Sequence, residues 1–87
     1  MKFEYDPDKS QLNYFKHGIN FEQAQRLWQD PLRVQLNAKS ITEPRFLVIG
    51  KIDNKLWTVI MTYRGKTVRI ISVRRSKNSE IKVYESN

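Results

Sequence analysis

Cysteine is absent from the 87 residues, which excludes a disulfide framework and any thiolate zinc site. Histidine occurs once, at position 17, and the carboxylates are dispersed, so neither a zinc cluster nor a persuasive two-metal centre is expected. The three glycines, at 18, 50 and 65, form no phosphate loop, dinucleotide fingerprint or nucleophile elbow. Long apolar runs are missing as well. The longest is Phe46 to Ile49, far short of the roughly 20 residues that a membrane span needs. Met1 to Asp6 lacks the apolar stretch of a signal peptide. These absences predict a cytoplasmic protein with no membrane association. If it is an enzyme, it is expected to need no metal and no cofactor. A chain of this length has room for one domain, residues 1–87, around one core.

What is abundant is positive charge, and it is unevenly placed. Sixteen Lys and Arg face nine Asp and Glu, a formal net charge of +7. Residues 1–44 balance, with six of each sign, and residues 76–87 balance too. Between them, Arg45 to Arg75 holds eight basic residues against Asp53 alone. Such asymmetry predicts a polyanionic partner, a nucleic acid or an acidic protein. The structural alternative is a sheet edge guarded by solvated Lys and Arg.

The apolar spacing predicts an α+β domain with the order β-α-α, an antiparallel meander and a short terminal helix. Residues 2–5 read as a short strand. Asp6-Pro7 starts a helix that runs to His17 and ends at Gly18, with Leu12 and Phe15 as a narrow apolar stripe. Asn20, with Gln23 three residues on, caps a second helix whose Phe21, Ala24, Leu27 and Trp28 share a buried face. Asp30-Pro31 stops it. Val34 to Leu36 forms a short edge strand. Arg45 to Ile52, Leu56 to Tyr63 and Lys66 to Arg75 follow as strands, joined at Asp53-Asn54-Lys55 and at Arg64-Gly65. The tail fits a helix through Ile81 and Tyr84, although Ile81 to Tyr84 also alternates.

The chemistry is expected in Arg69-Ile70-Ile71-Ser72-Val73-Arg74-Arg75. Strict alternation puts Arg69, Ile71, Val73 and Arg75 on one face, and Ile70, Ser72 and Arg74 on the other. An arginine among β-branched residues needs a partner. For Arg69 that is a phosphate, which the guanidinium fork suits, a carbonyl, or a carboxylate from Glu4, Glu22 or Glu43. Arg74 and Arg75, where the strand runs out, look more available to a ligand. Arg64 sits at a hairpin tip, ordinarily a solvated position. His17 is the only imidazole and the natural place to seek a general base, though the C-terminal helix dipole also accounts for a histidine there. Tyr14, Tyr63 and Tyr84 could stack on bases or donate a proton; more often such tyrosines are core with a surface hydroxyl. Trp28 reads as core, and Trp57 as either.

The chain resembles the BrnT family of toxins from bacterial type II toxin–antitoxin systems. The resemblance is carried by Phe3-Glu4-Tyr5-Asp6, Lys9, Asn13, Lys16-His17-Gly18-Ile19, Phe21-Glu22, Ala24 and Asp30-Pro31, then by Arg45, Gly50, Arg69-Ile70-Ile71-Ser72, Arg74-Arg75, Glu80 and Tyr84-Glu85. It implies a RelE-like fold, ribonuclease activity that inhibits translation, and neutralisation by a BrnA-type antitoxin. DNA would be met only indirectly, through the antitoxin complex, and the assembly would be a homodimer or a heterotetramer with antitoxin. Under that resemblance the expected reaction is metal-independent attack of a ribose 2′-hydroxyl on its phosphate. Arg64, Arg69, Arg74 and Arg75 hold the phosphate, His17 or Tyr84 moves protons, and Lys51, Lys55 and Lys66 steer the RNA. One departure is visible: Ser76-Lys77-Asn78-Ser79 is milder than the charged helix usual after Arg75. The rival readings are a non-catalytic nucleic-acid-binding module and a protein-interaction domain.

Overall fold

The structure is a computed structural model that describes all 87 residues. Strand β1 (Lys2–Glu4) leads into helix α1 (Pro7–His17), then α2 (Phe21–Ala24), which continues as a 3₁₀ helix over Gln25–Gln29. Strands β2 (Val34–Ala38), β3 (Arg45–Ile52), β4 (Lys55–Arg64) and β5 (Thr67–Arg75) follow, and helix α3 (Asn78–Glu85) ends the chain. This is the expected α+β class. The sheet has the order β1-β5-β4-β3-β2. It is mixed rather than wholly antiparallel, because β1 pairs with β5 in parallel.

Local chemistry explains most boundaries. Asp6 accepts a hydrogen bond from the Asp8 amide and Pro7 opens α1, while Gly18, at φ 77°, closes it. Asn20 and Gln23 exchange side-chain and backbone bonds in a capping box. Phe21, Ala24 and Leu27 are buried at three-residue steps, a spacing that three residues per turn keep on one face. The β3–β4 turn is tighter than expected: Asp53 and Asn54, at φ 49° and 68°, form a two-residue loop, and Lys55 joins the strand. Gly65 alone takes positive φ in the β4–β5 turn.

The main core lies between one sheet face and the α1–α2 pair. Phe21, Ala24 and Leu27 meet Val48, Val59, Met61, Val68, Ile70 and Val73. Gly50 is required there, since a Cβ would come within 2.7 Å of Leu27. Short α3 crosses the opposite face, where Thr58 and Ile49 are buried.

One expectation fails in α1. Leu12 and Phe15 do not face the core but stand 61% and 75% exposed, and the helix buries Ser10 and Asn13 instead. Ser10 Oγ accepts from the Phe21 amide. The Asn13 side chain donates to the Val73 and Ile19 carbonyls and accepts from the Val73 amide. Strand β1 stops at Glu4, so the upper half of β5 has no strand partner on that side. Asn13 supplies the missing donor and acceptor, and its burial is fully compensated.

Candidate active site

The face assignment of the arginines is corrected by a β-bulge. Met61 pairs with Ile70 but Ile60 pairs with Ser72, leaving Ile71 as an extra residue in β5. Beyond it the alternation inverts. Arg69, Ser72 and Arg74, opposite Thr62, Ile60 and Thr58, share the α3 side. Arg75, opposite Trp57, joins Val73 on the core side.

The four arginines therefore do not converge. Arg69 donates to Glu4 Oε2 at 2.8 Å, one of the carboxylates expected for it. Arg74 is not the open guanidinium anticipated: it binds Glu80 in a fork, 2.8 Å at each oxygen, with both side chains largely buried. Glu80 also accepts from Thr58 Oγ1 and the Lys77 amide. The Arg74 bond leads in drawing the Glu80 carboxyl down to about 2 and raising the guanidinium's own pKa. Arg64 pairs with Thr67 at the opposite end of the sheet, seven residues along β4 from Trp57, or about 23 Å at strand spacing. Lys66 shares that distant turn.

What remains gathers at the other end. Arg75 has no carboxylate partner: its Nε donates to the Leu56 carbonyl and its guanidinium lies 5.4 Å over the Trp57 ring. Trp57 and Lys55 line a groove of about 290 Å³ with Gly18, Ile19, Gln23 and Arg26. Gly18 lines this groove, whereas the side chain of its neighbour His17, the only imidazole, is exposed at the end of α1 and faces a different groove. A second groove along α1 holds His17 with Lys9, Lys16, Leu12 and Ile71. The site thus lies between the α1–α2 junction and the β3–β4 hairpin, whose tip is tied down by the Arg26–Asp53 pair at 2.8 Å.

Lys51 and Tyr84 occupy the far side of the same hairpin. The Tyr84 hydroxyl donates to Asp30 Oδ2 at 2.7 Å, and the Lys51 amide donates to the same oxygen at 2.8 Å. Lys51 Nζ lies 6.0 Å from the Tyr84 ring centre. The bond to Asp30, then burial, push the Tyr84 hydroxyl up to about 12, which leaves it a held donor rather than a proton acceptor near neutrality. Burial raises the Asp30 carboxyl, but the bonds from Tyr84, Leu32 and Lys51 outweigh it and the net shift is downward.

Sequence reasoning missed the acids. Asp30 was legible as a helix stop and, like Glu80, as part of the resemblance, with no partner assigned to either. Trp57 as the platform under Arg75 follows from the i-to-j pairing across β4 and β5, which the bulge conceals from the sequence. No three His, Asp or Glu side chains come together in a metal-binding group, and no helix is long and apolar enough to cross a membrane.

Among curated proteins none matches the chain. A family model described as the ribonuclease toxin BrnT of type II toxin–antitoxin systems matches residues 5–80. That span takes in both capped helices, the whole sheet beyond β1 and the start of α3 up to Glu80. The chain accordingly belongs to the BrnT family of ribonuclease toxins.

Proposed function

We propose that this toxin cleaves RNA without a metal ion, by attack of a ribose 2′-hydroxyl on the adjacent phosphate, in the groove beside His17. The observation that carries this reading is Arg75. It is the strand arginine at this end of the sheet left without a carboxylate, held in place by Trp57 and the Leu56 carbonyl. Arg75 and Lys55 would bind the phosphate and stabilise the charge that builds on its oxygens in the transition state. His17 would accept the 2′-hydroxyl proton and return one to the leaving 5′-oxygen. Lys51 would steer the strand across the hairpin, with Tyr84 holding that side of the site in shape through Asp30. Arg69 and Arg74 would act through structure, and Arg64 and Lys66, at the distant turn, through long-range attraction alone.

Metal independence is supported by the state of the nearby acids: Asp30, Asp53 and Glu80 are each engaged by Tyr84, Arg26 and Arg74. A BrnA-type antitoxin would neutralise the activity, and the cytoplasm, where RNA is translated, is the proposed place of action.

Labelled RNA incubated with the pure chain in excess EDTA should yield shortened products with 2′,3′-cyclic ends. Arg75→Ala and Lys55→Ala should each slow cleavage by roughly 10- to 1000-fold. Arg64→Ala should change it by less than about threefold. Intact RNA with wild-type protein in EDTA, restored to cleavage by Mg²⁺, would defeat the mechanism. A larger loss in Arg64→Ala than in Arg75→Ala would move the site to the other end of the sheet.

A further inference from the structure

Helix α1 is built inside out. Its core-facing positions are polar, Ser10 and Asn13, and both side chains are hydrogen-bonded within the fold. Its outward face carries Leu12 and Phe15, one turn apart, at 61% and 75% exposure. Phe15 meets only the edge of Tyr14, itself half exposed, at 6.3 Å between ring centres, and this contact leaves both large apolar side chains largely uncovered. Ile71, the extra residue of the β5 bulge, lines the same groove as Leu12, extending the apolar strip off the helix. Lys9, Lys16 and His17 rim that groove. Phe15 lies outside that groove, beside Tyr14, and the exposed Asp8 stands one turn before Leu12, so the cationic border follows the Leu12–Ile71 side of the strip. An apolar strip bordered in this way is the complement of an amphipathic segment whose apolar anchors carry acids along one flank.

The geometry points to the outer face of α1, with Leu12, Phe15 and Ile71, as the surface on which the antitoxin lays an acidic amphipathic segment, closing the path to His17. The identification of the occupant rests on the toxin reading above. Two observations favour it over a second copy of this chain. A second copy also carries a net charge of +7, so α1 against α1 brings cationic borders and cationic molecules together. Two side chains and part of a third offer at most a few hundred Å², well below the roughly 800 Å² per partner of a stable dimer interface. That strip suits two or three anchors of a short helix whose remaining contacts are electrostatic. Because His17 borders the strip, a segment seated there would mask the imidazole without touching the phosphate-binding arginine.

The test uses the full chain and, as probe, the purified product of the reading frame adjacent to its own. Calorimetric titration of wild type against the double variant Leu12→Ser with Phe15→Ser should show binding weakened by about 100-fold, about tenfold for each apolar anchor lost. Ile41→Ser, an equally drastic change at a fully exposed site elsewhere, should bind as wild type. Lys9→Glu with Lys16→Glu, also on the surface, should weaken binding and flatten its salt dependence. The Leu12/Phe15 variant should still cleave RNA at the wild-type rate but resist suppression by the added protein. Binding of that variant within about threefold of wild type overturns the inference. So does a dimer of the chain alone, seen by sedimentation velocity and dissociated by the same two substitutions, since the strip is then occupied by a second copy. If wild type cleaves no RNA, the proposed function fails, and the calorimetric comparison still decides this surface.

Discussion

At the scale of single residues, the Arg74–Glu80 fork turns a presumed ligand-binding arginine into a clamp between β5 and α3. Glu80 ordinarily titrates near 4.5 and is held down at about 2 in the fold. Its folded pKa is depressed, so its contribution is fully present above about pH 4.5 and disappears as the pH falls toward 2. A shift of that size corresponds to about 3 kcal/mol for a well-buried carboxylate. Urea midpoints measured from pH 6 down to pH 2 should therefore drop through that window, and Glu80→Gln should flatten the part of the drop that belongs to this pair. At neutral pH the same variant should lose roughly 2–4 kcal/mol, because Arg74 is left largely buried without its counter-charge. Unchanged acid profiles in Glu80→Gln would mean that the clamp carries no stability. Arg75, one residue on, makes no such pair, and this difference between neighbours separates a structural guanidinium from one open to a phosphate.

At the scale of elements, the decisive feature is that β1 is too short to cover β5. Asn13 takes its place, presenting one acceptor and one donor to Val73 as a passing strand would. This joins α1 to the strand segment that carries Arg74 and Arg75, and so fixes where the helix ends and where His17 lies. Replacing Asn13 with Ala leaves the Val73 and Ile19 groups without these bonds in a buried setting. The expected cost is about 2–4 kcal/mol, read from denaturant unfolding, with faster hydrogen exchange at the Val73 amide. Equal stability and equal exchange in Asn13→Ala would show that water or a shifted strand replaces the amide at no cost. The Ile71 bulge acts on the same segment: it rotates Arg74 toward α3 and Arg75 toward Trp57, which undoes the alternation expected from the sequence.

At the scale of the whole molecule, the charge excess read from Arg45 to Arg75 is split by the meander. Strands β3, β4 and β5 run back and forth, so their eight basic residues divide between the two ends of the sheet: Lys51, Lys55, Arg74 and Arg75 toward one, Arg45, Arg64, Lys66 and Arg69 toward the other. A single-stranded RNA held at the first end by three or four phosphates should show a log–log salt slope of about −2 to −3, and loss of Lys55 or Arg75 should reduce its magnitude by about 0.7. Arg64→Ala should leave the slope nearly unchanged. Equal reductions from both ends would instead describe RNA lying along the full length of the sheet.

The sequence by itself determined the elements, because their signals are local. Asp6-Pro7, Gly18, Asn20 with Gln23, and Asp30-Pro31 satisfy or break backbone hydrogen bonds within a few residues of where they stand. Only the tertiary structure decided which side of α1 is buried, which arginines meet carboxylates and where the single histidine lies relative to them. Those outcomes depend on contacts as distant as Glu4 with Arg69 and Asn13 with Val73. They depend also on one unpaired residue in β5, which reverses every side chain after it and leaves no local trace in the composition.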